Sequence, residues 1–253
     1  MPANIPPKGA VALKGSLLAI QAEKHENPLR VTLTHQKGYS GRRAGQRFDA
    51  QYGVTTEALI FLGDLNAQLV GSSVAHATHY EPTPVNDFFE FMDALALDFA
   101  ATTFVDVGSG MGRVVFLAAK HPFKQIIGIE LSPALHEVAA ENLKSWVDPR
   151  QCCKDIRLAR ADAATFGFPL GHLVLYLYNP FGRPVLTALL ENVLANTQTT
   201  RDLILCYHTP VEREVIESTK AFELLVEFNF GCVYRLRQRE PDAHPSRGTD
   251  LAS

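Results

Sequence analysis

The sequence predicts an α/β fold built on a doubly wound, mostly parallel sheet. From about residue 87 onward, short apolar segments alternate with helical patterns, which is typical of strands covered by helices on both faces. The first of these strands passes through a glycine-rich loop into a helix. Near the end of the chain, two strands flank Asn229-Phe230-Gly231, which indicates a β-hairpin with glycine in its turn.

The composition is that of an ordinary globular protein. The chain has 253 residues, 46% of them hydrophobic and 20% charged, so it can bury the core of one α/β domain with an extension. A net charge of −3 argues against a general nucleic-acid-binding surface. No apolar run is long enough to predict a membrane span, and no secretory signal is expected. The four cysteines show no metal-ligand spacing and favour a reduced, cytoplasmic setting.

Three regions are expected along the chain. Residues 1–79 should form an extension or helical cap, residues 80–240 the main domain, and residues 241–253 a disordered polar tail. Within the extension, a weak helical pattern covers residues 11–25, and apolar periodicity over residues 48–69 predicts a packed element. The basic, glycine-containing residues 37–47 predict a solvated loop, with an acidic partner such as RNA as the alternative.

The glycine-rich loop is the most informative part of the sequence. The predicted strand at residues 103–105 ends at Asp106, and a helical pattern begins at Arg113. Between them lies a G-x-G-x-G segment made of Gly108, Ser109, Gly110, Met111 and Gly112. A dinucleotide loop has the spacing G-x-G-x-x-G and seats a pyrophosphate. Here Asp106 would repel a pyrophosphate, so the loop favours a cationic or zwitterionic ligand; a purely structural glycine turn is the alternative.

With its preceding acid, this loop resembles the first motif, (D/E)-x-G-x-G-x-G, of the class I S-adenosylmethionine-dependent methyltransferases. The resemblance implies a Rossmann-like, seven-stranded sheet, closed by an antiparallel last strand that the hairpin at residues 222–237 would supply. It implies S-adenosylmethionine as cofactor. Gly108, Ser109, Gly110 and Gly112 would let the methionine part approach the backbone, and Asp106 would hold the loop and the cofactor's ammonium.

Two further acids follow predicted strands at suitable intervals. Gln125–Glu130 ends in Glu130, about 20 residues past the loop, where a carboxylate can accept both ribose hydroxyls. The alternative, a glutamate that opens the next helix, is weaker because Ser132 and Pro133 already supply a helix start. The strand Ile156–Arg160 precedes Asp162, which the resemblance assigns to the adenine amino group. The neighbours Leu131 and Ala163 complete the predicted cofactor contacts.

The fourth strand, His172–Tyr178, leads into Asn179-Pro180-Phe181-Gly182. This segment is similar to the (N/D)-P-P-(F/Y) motif of amino-directed members of the family, one proline short. The resemblance implies that Asn179 contacts both the cofactor and a target amine, and that Phe181 packs near the methyl sulfonium. A simple Asn-Pro turn is the alternative.

The segment Tyr80-Glu81-Pro82-Thr83-Pro84 resembles a Tyr-x-Pro-(T/S)-x segment of several class I protein lysine methyltransferases. The resemblance implies that Tyr80 lies over the methionine end of the cofactor, where a ring attracts a sulfonium; the alternative is an extended connector. Tyr52 and Asp49 are candidates for an acceptor pocket, but packing and capping are preferred. His208, after the strand at residues 203–207, is a candidate base, with a turn histidine preferred.

Helices are also predicted at residues 87–97, 184–196 and 211–220. Taken together, these patterns predict an S-adenosylmethionine-dependent methyltransferase whose acceptor is a nitrogen, on a protein or a small amine. In-line attack on a sulfonium methyl depends mainly on alignment. Two other classes remain open: a protein that binds S-adenosylmethionine without catalysis, and a nicotinamide-dependent oxidoreductase, which the G-x-G-x-G spacing disfavours.

Overall fold

A seven-stranded sheet forms the centre of the computed structural model, which describes residues 18–21, 32–35, 43–58, 60–61, 79–195 and 202–237. The strands there are β1 (Leu18–Gln21), β2 (Thr32–His35), β3 (Ile60–Phe61), β4 (His79–Tyr80), β5 (Thr102–Val107), β6 (Gln125–Glu130), β7 (Ile156–Arg160), β8 (His172–Tyr178), β9 (Leu203–His208), β10 (Phe222–Glu227) and β11 (Gly231–Leu236). The helices are α1 (Arg43–Tyr52), α2 (Val85–Asp93), α3 (Arg113–Ala118), α4 (Pro133–Ser145), α5 (Arg183–Ala195) and α6 (Arg213–Ser218).

The order of the strands places a ligand-binding edge beside β5. The central sheet has the order β10-β11-β9-β8-β5-β6-β7. β5 to β9 run parallel, and β11 is antiparallel to both of its neighbours. The predicted doubly wound, seven-stranded sheet with an antiparallel last strand is therefore confirmed. Because the chain builds outward from β5 to β7 and then returns with β8 on the other side of β5, the order reverses at β5, where such sheets bind ligands.

Two apolar layers hold the sheet, one on each face. Successive strand residues point to opposite faces, so Phe104 packs with the layer that contains residues of α2 and α3, and Val105 packs with residues of α5 and α6. Both side chains are fully buried. Apolar packing on both faces of the sheet therefore fixes the position of β5, from which the glycine-rich loop begins.

The N-terminal extension differs from its prediction in two places. The helix predicted over residues 11–25 is wrong at residues 18–21, which form β1 and pair antiparallel with β2; the alternation of Leu18 and Ile20 with smaller or polar residues suits a strand. The loop predicted over residues 37–47 is wrong from Arg43 onward, where α1 begins. Gly45 in this helix leaves room for the Glu57 side chain, which a Cβ at this position would overlap. Residues 36–42 and 62–78 lie outside the described residues.

The later elements follow their predictions closely, apart from two boundaries. α2 ends at Asp93 rather than at residue 97, and a 3-10 turn at Phe99–Ala101, capped by the Asp98 carboxylate, leads into β5. Gly231 does not sit in the hairpin turn but opens β11, where a Cβ would lie 2.5 Å from Phe91 Cζ. The glycine thus serves close packing of the last strand, which the sequence pattern alone does not distinguish from a turn.

Several expectations have only partial counterparts in the structure. No helix within the described ranges is long and apolar enough to cross a membrane. Among the same residues, no cluster of His, Cys, Asp and Glu could hold a metal ion. Cys153, Cys206 and Cys232 are buried free thiols, and Cys152 is exposed. The division at residues 79 and 80 stays a prediction, and the tail predicted at residues 241–253 lies outside the described residues.

Candidate active site

The glycine loop turns back across the end of β6. The amides of Gly108 and Ser109 both donate to the Ile129 carbonyl at 2.9 Å, and the Gly112 amide donates to the Ser109 carbonyl at 2.8 Å. Gly108, Gly110 and Gly112 have φ values of +79°, +52° and +92°, a region that costs other residues free energy. The alternating glycines are therefore required by the path of the backbone.

Two side chains pack directly on this loop because its glycines have no Cβ. At Gly108 a Cβ would lie 2.7 Å from Pro180 Cβ, and at Gly110 it would overlap the ring of Tyr80. The Tyr80 hydroxyl donates to the Thr56 carbonyl at 2.6 Å, which fixes the ring over the loop. The segments after β4 and after β8, both singled out by the sequence, thus meet at the glycine loop.

Glu130 holds the loop from the end of β6. One carboxylate oxygen accepts the Gly110 amide at 2.8 Å, and the other accepts the Ser132 amide at 2.7 Å. The side chain is buried, and burial raises the pKa of Glu130, although hydrogen bonds from the backbone amides of Ser132, Gly110 and Leu131 oppose that shift. The carboxylate therefore orders the loop as well as bordering the space beside it.

Asp106 presents a buried carboxylate at the same place. Its residue is 4% exposed, and no described residue donates a hydrogen bond to it. Burial, followed by repulsion from Glu130, raises the pKa of Asp106 well above the ordinary aspartate value. A buried acid without a partner is costly. The arrangement suits a ligand that brings a positive charge.

A cavity opens beside the loop and encloses about 890 Å³ of empty space, part of it open to solvent. The predicted site residues that line it are Tyr80, Asp106, Gly108, Ser109, Glu130, Leu131, Asp162, Ala163 and Phe181. Three others do not line it: Gly110, Gly112 and Asn179. Tyr80 covers Gly110, and Phe116 lies against Gly112.

Asn179 is turned toward β9. Its backbone has a φ of +36°, and its side-chain oxygen accepts a hydrogen bond from the Tyr207 hydroxyl at 3.4 Å. The neighbouring Phe181 does line the cavity. Phe181 therefore borders the cavity and Asn179 does not. The roles predicted for both residues stay predictions.

His208 is held away from the cavity. Its Nε2 lies 2.9 Å from Asp87 Oδ2, and its Nδ1 lies 3.0 Å from Thr209 Oγ1. The ring centroid is 4.2 Å from that of Tyr178, and burial lowers the pKa of the imidazole. With both nitrogens engaged and the side chain buried, these contacts suit the preferred interpretation, a packed turn histidine.

Sequence reasoning did not single out Arg113, which lines the cavity at the start of α3. Its guanidinium lies 3.0 Å from Glu57 Oε2 and 3.3 Å from Asp49 Oδ1, and its Nε donates to Thr56 Oγ1 at 2.7 Å. Asp49 also accepts the amides of Thr56 and Glu57. The preferred interpretation of Asp49, capping and packing, agrees with these contacts.

This buried ion cluster (Asp49, Glu57 and Arg113) joins the N-terminal extension to the glycine loop. The acids precede the arginine by more than 50 residues, so no local spacing in the sequence predicts that they pair. A signal was present in the two acids that interrupt an apolar stretch, but their partner could be identified only in the fold.

No family model and no curated protein matches the chain. Among solved structures, the 23S rRNA methyltransferase ErmE matches with a TM-score of 0.44 at 15% identity, over 62% of this chain and 69% of that one. The N-methyltransferase NodS from Bradyrhizobium japonicum WM9 matches with a TM-score of 0.43 at 15% identity, over 61% and 96%.

A TehB-like methyltransferase from Corynebacterium glutamicum matches with a TM-score of 0.43 at 14% identity, over 60% of this chain and 87% of that one. At such scores the matches carry no argument about cofactor or acceptor. The strand order and the antiparallel last strand are observed directly in this chain. In fold, the protein resembles the Rossmann-like class I methyltransferases.

Proposed function

We propose that the protein is an S-adenosylmethionine-dependent methyltransferase that methylates a nitrogen atom, with a protein side chain as the favoured acceptor. The observation that carries the proposal is the buried carboxylate of Asp106, which has no hydrogen-bond donor among the described residues and borders a cavity at the glycine loop. A zwitterionic cofactor with an ammonium group would supply the missing positive charge.

The lining residues fit the parts of this cofactor. Glu130 accepts backbone amides on both oxygens, and the lone pairs that remain can accept ribose hydroxyls. Ser109 lines the cavity as well, with its hydroxyl buried beside Gly128 of β6. Asp162, which follows β7, lines the cavity, and we place the adenine beside it.

The acceptor side of the cavity would be formed by aromatic residues and an acid. Tyr80, Tyr178 and Phe181 line it together with Glu81. When bound, S-adenosylmethionine supplies a methyl group on a positively charged sulfur. Aromatic faces favour positive charge by roughly 0.5–2 kcal/mol, and the Glu81 carboxylate would attract an amine. The chain's contribution is to hold both partners in line and to exclude water.

Cofactor binding should be visible as thermal stabilisation. S-adenosylhomocysteine at about a hundred times its dissociation constant stabilises a folded protein by roughly 2.7 kcal/mol. For a chain of this size, that corresponds to a rise of about 5–10 °C in melting temperature. We expect the rise with S-adenosylhomocysteine and S-adenosylmethionine but not with NAD, and we expect Glu130→Ala and Asp162→Ala to lose it.

Glu141→Ala is the matched control, because Glu141 is an exposed acid on α4 that bonds only the equally exposed Lys144 among the described residues. It should leave the ligand-induced rise unchanged. Glu130→Ala also removes two loop hydrogen bonds, so Asp162→Ala separates lost binding from lost folding. Stabilisation by NAD alone, or by none of the three ligands, would contradict the proposal.

Asp106 should release a proton when the cofactor binds. Since its pKa is raised in the free protein, the carboxyl holds its proton at pH values at which an exposed aspartate is ionised. A bound ammonium lowers that pKa, so S-adenosylhomocysteine should bind more tightly as pH rises toward the raised value. Titration calorimetry in two buffers of different ionisation enthalpy should show release of up to about one proton.

The raised pKa of Asp106 also makes the stability of the ligand-free protein depend on pH. A raised folded pKa stabilises the fold fully below the ordinary aspartate pKa, and this contribution is lost as pH rises through the raised value. Asp106→Asn should therefore be at least as stable as the parent at neutral pH, and its binding heat should no longer depend on the buffer. A binding heat that is independent of buffer in the parent would contradict the role of Asp106.

One observation favours a second candidate, a protein that binds S-adenosylmethionine without transferring its methyl group. Asn179 bonds Tyr207 rather than lining the cavity, and the segment that carries it is one proline short of the amino-directed motif. The two candidates can be separated by incubating the protein with a cell extract and S-adenosylmethionine that carries a radioactive methyl group. The extract is then fractionated, and the label in each fraction is measured. Labelled protein favours catalysis, whereas binding without label in any fraction favours the second candidate.

A further inference from the structure

A second groove, called the α1–α2 groove, is lined by residues of α1 and α2 together with Lys120 and Arg150. Its polar lining consists of Arg47, Gln51, Tyr52, Asn86, Lys120 and Arg150, and it encloses about 1130 Å³ of space that is broadly open to solvent. None of these residues lines the cavity beside the glycine loop. The groove therefore needs its own explanation.

Hydrogen-bond donors converge on one atom in this groove. The Tyr52 hydroxyl oxygen receives Lys120 Nζ at 2.6 Å, Arg150 Nη2 at 2.7 Å and Gln51 Nε2 at 3.0 Å. A hydroxyl oxygen has two lone pairs and a hydrogen of its own, so three donors exceed what it can accept. The groove thus has more donor capacity than its own acceptors use.

Positive charge is also in excess there. Asp148 is the carboxylate that faces the cluster, 3.4 Å from Lys120 Nζ and 3.5 Å from Arg150 Nε. Arg47 is exposed and pairs with no acid in the described structure. Three cations therefore face one carboxylate, in a chain whose net charge is −3. The groove is a local site for an anion on a protein that does not attract polyanions as a whole.

The groove borders the same segments as the cavity. α3 begins at Arg113 in the cavity wall and ends at Ala118, and Lys120 lies two residues beyond its end. Asn86 follows residues 80–83, which line the cavity. A protein acceptor is large enough to contact both the cavity and the groove, whereas a small amine is not.

We propose that the α1–α2 groove binds an acidic side chain of a protein methyl acceptor. This inference rests on the proposed function for its biological meaning, but not for its test. A carboxylate fits better than a nucleic-acid strand, because Lys120 and Arg150 converge on one atom, whereas phosphates form a row that needs cations in a row. The exposed guanidinium of Arg150 has further N–H groups, besides those that point to Asp148 and Tyr52, with which it can donate to a carboxylate.

The test is direct binding of a labelled hexaglutamate peptide to the full-length protein without cofactor, followed by fluorescence anisotropy. Peptides of six serines and oligonucleotides of six uridines are measured in parallel. We expect hexaglutamate to bind in preference to both, and its affinity to fall with added salt. Arg47→Ala combined with Arg150→Ala should weaken it about tenfold, because each removes a pair contribution typical of exposed ions.

Arg157→Ala combined with Arg160→Ala is the matched control, since both are exposed arginines on β7 and their loss changes the net charge by the same amount as the double variant in the groove. It should change the affinity less than twofold. Equal affinity for hexaglutamate and hexaserine, stronger binding of the oligonucleotide, or equal weakening by the β7 double variant would each overturn the proposal. Because no cofactor is present, failure here is distinct from failure of the ligand-induced thermal shift.

Discussion

Replacing Gly110 with alanine should lower the free energy of unfolding by roughly 3 kcal/mol or more and abolish stabilisation by S-adenosylhomocysteine. Two costs add at this position. The backbone has a φ of +52°, and a Cβ would overlap the Tyr80 ring, which is tied to the Thr56 carbonyl and cannot move without breaking that hydrogen bond. The amide of Gly110 also bonds Glu130, so displacement of the loop would disturb the proposed ribose site.

Gly171→Ala provides the control for backbone strain alone. Gly171 has a φ of +106°, and a Cβ there would meet no atom within 4 Å. Urea denaturation of both variants should show a loss of about 1–2 kcal/mol for Gly171→Ala and a clearly larger loss for Gly110→Ala. If the two variants lose the same free energy, Tyr80 does not pack on the loop as described.

Arg113→Met should destabilise the protein by about 3–5 kcal/mol, because it leaves two carboxylates near one another without their counterion. The side chain of Arg113 is 4% exposed, and those of Asp49 and Glu57 are 13% and 10% exposed, so water cannot replace the guanidinium well. The loss should appear in urea denaturation. Thermal stabilisation by S-adenosylhomocysteine should also fall, since Arg113 begins the helix that follows the glycine loop.

Arg183→Met is the matched control for this prediction. Arg183 pairs with Glu212 and Glu214 at 3.2 and 3.4 Å, but its side chain is 56% exposed. Exposed pairs of this kind contribute about 0–1 kcal/mol. A further variant, Arg113→Lys, keeps the charge but loses the fork geometry and should fall between the parent and Arg113→Met. Equal losses in Arg113→Met and Arg183→Met would show that the buried cluster does not hold the extension in place.

Both predictions concern contacts between the N-terminal extension and the glycine loop. Thr56 receives the Tyr80 hydroxyl on its carbonyl and the Arg113 side chain on its own hydroxyl. The extension is thereby coupled to the loop on which the proposed cofactor site depends.

Local patterns in the sequence were sufficient for the central sheet. The strands at Gln125–Glu130, Ile156–Arg160 and His172–Tyr178 have the predicted bounds, because apolar runs bounded by turn residues mark buried strands. The spacing of the glycines likewise predicted the loop, since each of Gly108, Gly110 and Gly112 has the positive φ that glycine tolerates best. These features depend on neighbours in the chain, and neighbours are visible in a sequence.

The tertiary structure alone decided which distant groups meet. It turned Asn179 toward Tyr207, engaged both nitrogens of His208, and paired Arg113 with acids more than 50 residues away. It also placed Lys120 and Arg150 against the hydroxyl of Tyr52. The physical reason is that a side-chain contact between distant segments follows from how helices pack on the sheet, and no periodicity in the chain encodes that packing.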